Sequence, residues 1–476
     1  MTDVPVAADD SVVVGAHLLI KWGLGMRGHV AGAVATALVA VLLSGCGTPN
    51  RTEELPKAGR PTAGKASGHP RTGDFNGDGR DDFAVLSGRR LTVVYGSTHG
   101  LDPRLRTVVP QPVPAHGSEQ TRLFRADLDR DGFTDLLLSP ESRPPTVLWG
   151  GPRGLATAAK PLTGPAQGPA AIGDFDGDGA TDLFVPGGAT GPEGTVWYGP
   201  VGRDGVPARR QELRDKRPAD SVPAQVLAGD FDGDKATDLA LWFVWTDPES
   251  EGDGDVTFTG QHRLRGGPKG LRLTERRERP NLGLDGQPGD VDDDGIDDLY
   301  AAHFTASGRQ LSAGYRLSTR SGPETGRRGG VSTAAPPGLD DRIPYGGTVD
   351  TALGDVTGDG RADLVASATG ANDNNGVVWL IPDVLRADAG DIRAVTLDSP
   401  GVPGSTTPSP GRGPTRHRIT VLGPLLDTDG DGHLDVVIGS PGYLDPKKRD
   451  LDAFWVMRGT DRGMTYQRHF TAADLR

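Results

Sequence analysis

One acidic nonapeptide, D-x-D-x-D-G-x-x-D, is written with small variations seven times along this chain of 476 residues, and each copy runs straight into an apolar segment. The copies span Asp74–Asp82, Asp127–Asp135, Asp174–Asp182, Asp230–Asp238, Asp290–Asp298, Asp355–Asp363 and Asp427–Asp435. Their first residues lie 53, 47, 56, 60, 65 and 72 positions apart. A unit recurring roughly every 60 residues implies a stacked or circular array of one supersecondary element, because no single repeat buries its own apolar face. Carboxylates packed this tightly repel one another unless a hard cation sits among them. Ca²⁺ takes about six to eight oxygens, and a tight turn with alternate Asp side chains supplies them; Mg²⁺ demands a stricter octahedron and keeps its waters.

The candidate ligands are the side chains at loop positions 1, 3, 5 and 9. In chain order they are Asp74, Asn76, Asp78 and Asp82; Asp127, Asp129, Asp131 and Asp135; Asp174, Asp176, Asp178 and Asp182; Asp230, Asp232, Asp234 and Asp238; Asp290, Asp292, Asp294 and Asp298; Asp355, Thr357, Asp359 and Asp363; and Asp427, Asp429, Asp431 and Asp435. The carbonyl of position 7 would add a further oxygen, and Gly at position 6 permits the positive φ that folds the loop back. Up to seven Ca²⁺ are therefore expected. The sites at Asp230 and Asp355 are ranked weakest, since Lys235 replaces the position-6 Gly in one and Thr357 is a poorer ligand in the other. An EF-hand is excluded. Its bidentate Glu would stand at position 12, which here is Val85, Leu138, Val185, Leu241, Ala301, Ala366 and Ile438.

The segment after position 9 is short and rich in β-branched residues, a strand signal. A second recurring piece lies downstream: Val93–Leu101 (VVYGSTHGL), Val147–Leu155 (VLWGGPRGL), Val196–Pro200 (VWYGP) and Arg263–Leu271 (RLRGGPKGL). Each unit thus reads strand, acidic loop, strand, turn, strand ending in an aromatic before Gly, then a variable connection. About four short strands per unit fit one propeller blade. The aromatics Tyr95, Trp149, Trp197, Trp379 and Trp455 are expected to pack between blades.

The loop G-D-F-N-G-D-G-R-D-D-F-A-V (Gly73–Val85), its six sisters and the downstream motif resemble the FG-GAP/VCBS repeats of integrin α-subunit propellers and of many bacterial surface proteins. The resemblance covers residues 73–476 and implies an all-β, seven-bladed β-propeller with calcium-binding hairpin loops. It also implies that the metal loops lie on the face away from the ligand. It does not specify function, since the repeats serve adhesins, carbohydrate-associated proteins and enzyme-appended domains alike.

Net charge is −13, yet 26 of the 64 acids are loop aspartates; the 38 others face 51 Lys and Arg. The acidity therefore belongs to the metal sites rather than to a surface for basic partners. No basic helix or nucleic-acid motif appears, so nucleic-acid binding is not expected. The single cysteine, Cys46, ends Leu43-Ser44-Gly45-Cys46, which resembles a bacterial lipobox, behind the apolar run Ala31–Leu43 and Arg27. Residues 1–45 are accordingly read as an N-terminal extension plus lipoprotein signal, with Met26 the expected true start, and Cys46 as the lipidated residue. The apolar run is too short to span a bilayer, which takes about 20 residues. Residues 46–72, rich in Pro, Gly, Lys, Thr and Ser, read as a flexible linker. The expected location is the outer face of a bacterial cell membrane, held there by the lipid anchor alone.

No G-x-S-x-G, H-E-x-x-H or P-loop occurs, and histidines such as His116, His262, His303, His417 and His469 are isolated. The expectation is a monomeric, non-enzymatic module that binds a protein or glycan at the cell surface. The alternative is an extracytoplasmic hydrolase or enzyme subunit on the same calcium-stabilised propeller. Recognition is expected where the repeats disagree, in the long connections 246–256, 318–347 and 398–416.

Overall fold

Each apolar run beyond a loop becomes a strand of an antiparallel sheet, the second of four in six of the sheets and the first of three in the other, and the seven sheets form a seven-bladed β-propeller. The structure is a computed structural model that describes residues 59–475 apart from 62, 68–70, 88–89, 111–120, 141–142, 165–166, 188–192, 215–220, 247–256, 281–285, 306–309, 321–325, 335–348, 370–374, 405–417 and 445–449. Cys46, the signal segment and Met26 lie outside the described residues, as does most of the connections 246–256 and 398–416. No helix occurs among the described residues, and hence none long and apolar enough to cross a membrane.

Six sheets have four strands and the first has three, each built from consecutive strands. Blade 6 shows the pattern: Val349–Gly354, Asp363–Ala368, Val377–Ile381 and Arg393–Val395, with Trp379 opposite Ala366. Its two middle strands are buried throughout, on both faces. A blade is sandwiched between two neighbours, so its middle strands read as continuous apolar runs rather than as alternation. Outer strands such as Pro207–Leu213 are largely exposed. In blade 5 the fourth strand is Arg328–Ala334, so part of the connection expected over 318–347 belongs to the sheet.

The core is a series of inter-blade layers. Trp197 packs with Leu128 and Leu137 of blade 2, Trp379 with Tyr300 and Leu311 of blade 5, and Trp455 with Val365 and Leu380 of blade 6. Trp197, Trp379 and Trp455 are at most 2% exposed. The downstream motif works at the same seams. The Tyr95 hydroxyl accepts the Leu155 N–H (3.0 Å), and the Tyr198 hydroxyl accepts that of Leu271 (3.0 Å). Gly154 (φ 88°) and Gly270 (φ 80°) precede those leucines, and a Cβ there would stand 2.0 and 2.1 Å from the two hydroxyl oxygens. Only glycine fits.

The ring closes between blades 7 and 1 by side-chain packing and loop hydrogen bonds, and among the described residues no strand is exchanged between them. Phe83, Val94 and Leu101 meet Val437, Phe454 and Phe470, with the Phe83 and Phe454 rings edge to face at 5.8 Å. Part of the expected linker is docked. The N–H groups of Gly59, Lys65 and Ser67 donate to the carbonyls of Arg104 (2.7 Å), Gly77 (2.9 Å) and Gly132 (2.9 Å).

Candidate metal centre

In blades 2–7 the loop joins the first strand to the second, in the three-stranded first blade it precedes Phe83–Ser87, and all seven fold alike. The position-1 carboxylate caps its own turn: its Oδ1 accepts the N–H of position 5, and its Oδ2 that of position 6. In the third loop these bonds run from Asp178 (3.0 Å) and Gly179 (2.8 Å) to Asp174. Position 5 accepts the N–H of position 7, as Asp178 does from Ala180 (2.7 Å). Position 9 rivets the loop to the rest of the blade. Asp182 Oδ2 accepts the Phe175 N–H (2.7 Å), and its Oδ1 accepts the N–H of Gly199, just beyond the aromatic of the third strand (2.7 Å). Asp82, Asp135, Asp238, Asp298, Asp363 and Asp435 make the same pair of bonds.

Position 3 differs. Oδ1 of Asp176, Asp232 and Asp292 is buried and accepts no hydrogen bond. A buried carboxylate oxygen with no donor is costly, whereas a hard cation satisfies it. The donor set therefore fits such an ion. Three ligand oxygens converge within 4.8 Å in five loops: Asp127, Asp129 and Asp135; Asp174, Asp176 and Asp182; Asp230, Asp232 and Asp234; Asp290, Asp292 and Asp294; and Asp427, Asp429 and Asp431. These triads could hold a metal. The loops with Asn76 and Thr357 at position 3 bring no such carboxylate triad together among the described residues. Burial pushes Asp135 up to about 8 and Asp182, Asp238 and Asp435 up to about 7, so burial alone favours their neutral forms near neutral pH, a desolvation cost that a bound cation would offset.

Three loop positions carry roles that the ligand pattern does not reveal. Position 4 is left-handed in every loop: Gly77, Gly177, Gly233, Gly358 and Gly430 have φ of 72–77°, and Arg130 and Asp293 have 58° and 60°. The position-7 side chain of the next loop packs over it, as Phe133 does over Gly77, Ile296 over Gly233 and His433 over Gly358. In four loops the position-8 N–H donates to the position-1 carbonyl of the preceding loop: Thr237 to Asp174 (2.7 Å), Asp297 to Asp230 (2.7 Å), Leu434 to Asp355 (3.0 Å) and, across the closing seam, Asp81 to Asp427 (2.9 Å). The loops thus form an annulus at one end of the blades. Gly at position 4 in five of seven copies is the sequence signal that could expose this packing.

Lys235 retains the loop shape at the expense of its own backbone. Its φ is 73°, and its N–H still donates to Asp230 Oδ2 (2.7 Å). Among the described residues its ammonium makes no ion pair; the counter-charge on Asp232 and Asp234 is Arg265. A left-handed L-residue costs roughly 1–2 kcal/mol. Lys235→Gly is therefore expected to stabilise the fold by about 0.5–1 kcal/mol after the entropy cost of glycine, read from the urea midpoint at fixed Ca²⁺. A midpoint that stays put or falls would show that the site carries no strain. A His–carboxylate pair, His262 Nδ1 with Glu193 Oε1 at 2.6 Å, lies sealed between blades 3 and 4, the two residues 2% and 1% exposed.

Matches to known families fall on the loops. Residues 127–185 match the family described as FG-GAP-like repeat, and residues 348–381 match the FG-GAP repeat. No curated protein matches the chain in sequence. Among solved structures, AofleA from Arthrobotrys oligospora is 11% identical, with 86% of this chain and 94% of that one covered and a TM-score of 0.38. The rhamnogalacturonan lyase PL11 of Bacillus licheniformis is 12% identical, with 85% and 68% covered and a TM-score of 0.26. The WD40 domain of SCAP from fission yeast is 9% identical, with 76% and 89% covered and a TM-score of 0.31. Overlaps this loose say nothing of ligand or activity. The chain is a seven-bladed β-propeller, two stretches of which match FG-GAP repeats.

Proposed function

We propose that this propeller is a calcium-braced extracytoplasmic binding module, lipid-anchored through Cys46 to the outer face of a bacterial membrane, that takes up a protein or glycan on the face opposite its metal loops. Positions 1, 3 and 9 of the second and third loops, and positions 1, 3 and 5 of the fourth, fifth and seventh, would hold the ion. Bound there, Ca²⁺ supplies positive charge that relieves carboxylate repulsion. The protein's own groups then fix the loops to one another and to the third strands.

The observation that carries this reading is topological. In each four-stranded blade the second strand leaves the loop end, the third returns and the fourth leaves again. The turns between second and third strands, and the connections to the next blade, therefore start from the opposite end. Thr246 and Thr257, which flank 247–256, end there, as do Ala334 and Val349, which flank 335–348. The residues before and after 405–417 join blades 6 and 7 at that same end. The annulus of loops is spent on blade-to-blade contacts, while the unequal connections gather where a ligand can meet them.

Replacing 247–256 or 335–348 with a short Gly-Ser turn is expected to abolish capture of a glycan or cell-wall protein from an array or extract while leaving the melting curve intact. Capture that survives removal of both would place recognition elsewhere. Turnover of a hydrolase substrate, lost on a single His or non-loop carboxylate substitution, would favour the enzyme. Cys46→Ala is expected to move the protein from the membrane fraction into the soluble one; an unchanged membrane fraction would refute the lipid anchor.

A further inference from the structure

Five loops have Asp at position 3, and in four of them an arginine grips that side chain from outside. Arg203 reaches Asp129 Oδ2 through Nε (2.5 Å) and Asp131 through Nη2. Arg265 reaches Asp232 (2.6 Å) and Asp234 (3.1 Å) in the same way, and Arg458 reaches Asp429 (2.9 Å) and Asp431 (2.7 Å). Arg209 Nη2 pairs with Asp176 Oδ2 at 2.5 Å. Three times, then, one guanidinium bridges positions 3 and 5 with Nε on one and Nη2 on the other. The grip is on Oδ2, while the oxygen left without a donor in Asp176 and Asp232 is Oδ1. Guanidinium and cation would thus address opposite oxygens of one carboxylate.

The arginines arrive by two routes. In blades 4 and 7 the residue just before the rivet glycine is itself the arginine, Arg265 before Gly266 and Arg458 before Gly459. In blades 2 and 3 that place belongs to Trp149 and Tyr198. There the arginine comes from blade 3's hairpin or its fourth strand and lies over the ring, Arg203 5.7 Å from the Trp149 centroid and Arg209 3.4 Å from that of Tyr198. Blade 5 has Leu317 before its rivet residue Ser318. Among the described residues Asp292 forms no ion pair, and its Oδ1 is also without a donor.

We propose that Arg203, Arg209, Arg265 and Arg458 are built-in counter-cations that hold four loops in shape without metal and lower their affinity for it, leaving the Asp290–Asp298 loop as the first to fill. The proposal rests on the reading of the loops as calcium sites. Its physical basis is that a fixed positive charge on positions 3 and 5 offsets carboxylate repulsion when the loop is empty and opposes a second cation when it is not. The arginines are about half exposed, so each effect is modest.

The test is calorimetric titration of Ca²⁺ into the wild-type chain and into the double variant Arg265→Gln/Arg458→Gln, with melting curves of both in EGTA and in saturating Ca²⁺. Two sites are expected to tighten roughly threefold to tenfold. The variant is expected to melt roughly 1–3 °C below wild type in EGTA, with the gap closing in Ca²⁺. Arg104→Gln, which breaks the Arg104–Asp102 pair away from the loops, should leave calcium affinity unchanged. An equal melting deficit with and without Ca²⁺ would reduce the arginines to ordinary surface pairs and overturn the proposal. Unchanged or weaker affinity would do the same, the latter making the arginines preorganisers of the site. A wild-type chain that takes up no Ca²⁺ fails differently, sinking the calcium reading itself.

Discussion

Chelation by EGTA is expected to lower the melting temperature by roughly 2–8 °C, and added Ca²⁺ is expected to restore it where added Mg²⁺ does not. Five loops bring three carboxylates together. At about 1 mM Ca²⁺ and dissociation constants of roughly 10⁻⁴–10⁻³ M, each contributes about 0.4–1.4 kcal/mol by mass action, or about 2–7 kcal/mol for the set. The unfolding entropy of a unit of this length, Lys57–Arg476, means that each kcal/mol moves the midpoint by about 1 °C. The loss is a large share of a typical domain's stability of about 5–15 kcal/mol. It should also fall on the contacts between blades, because three of the loops that would lose their ions, those starting at Asp230, Asp290 and Asp427, donate a position-8 N–H to the preceding loop. Differential scanning calorimetry with and without EGTA decides the matter. An unchanged midpoint would mean that the hydrogen bonds of positions 1, 5 and 9 already suffice, and that the unpartnered Oδ1 atoms of Asp176, Asp232 and Asp292 are tolerated without a metal.

Seven loops at near-regular spacing make the number of blades legible, and the β-branched run after position 9 places the strand that follows each loop. The ligand pattern, by contrast, describes each loop as if it stood alone. Asp82 and its six counterparts are riveted to two backbone N–H groups, one from within the loop and one from beyond the third strand. That tie depends on register between strands, which one nonapeptide does not encode. Positions 4, 7 and 8 escape a reading of single loops because their partners lie in the neighbouring loop, about one repeat away in sequence. The arginines are invisible for the same reason: Arg203 is 74 residues from Asp129, and in blade 2 a tryptophan occupies the place that an arginine takes in blade 4. A repeat read column by column shows what its copies share, whereas contacts between copies appear only once the ring is closed.

Trp379→Ala is expected to destabilise the protein by about 3–5 kcal/mol, lowering the midpoint by roughly 3–6 °C. Trp379 lies on the third strand of blade 6, is 1% exposed, and packs with Tyr300, Leu311 and Tyr315 of blade 5 as well as Leu364 and Ile381 of its own blade. Truncation removes the largest side chain of that layer and leaves a cavity between two sheets held together chiefly by such contacts. Trp379→Phe retains most of the apolar volume and is expected to cost about half as much. The variant should still melt in a single transition. In an open array a weakened interface lets the two halves separate, but in a closed ring every blade keeps a second neighbour, and the seam of Phe83, Phe454 and Phe470 would have to fail as well. Calorimetry on the variant therefore reports two things at once. A loss under about 1 kcal/mol would mean that the layer collapses around the gap. A split transition would show that the closure between blades 7 and 1 is weaker than its packing indicates, and that the ring behaves as an open chain of blades.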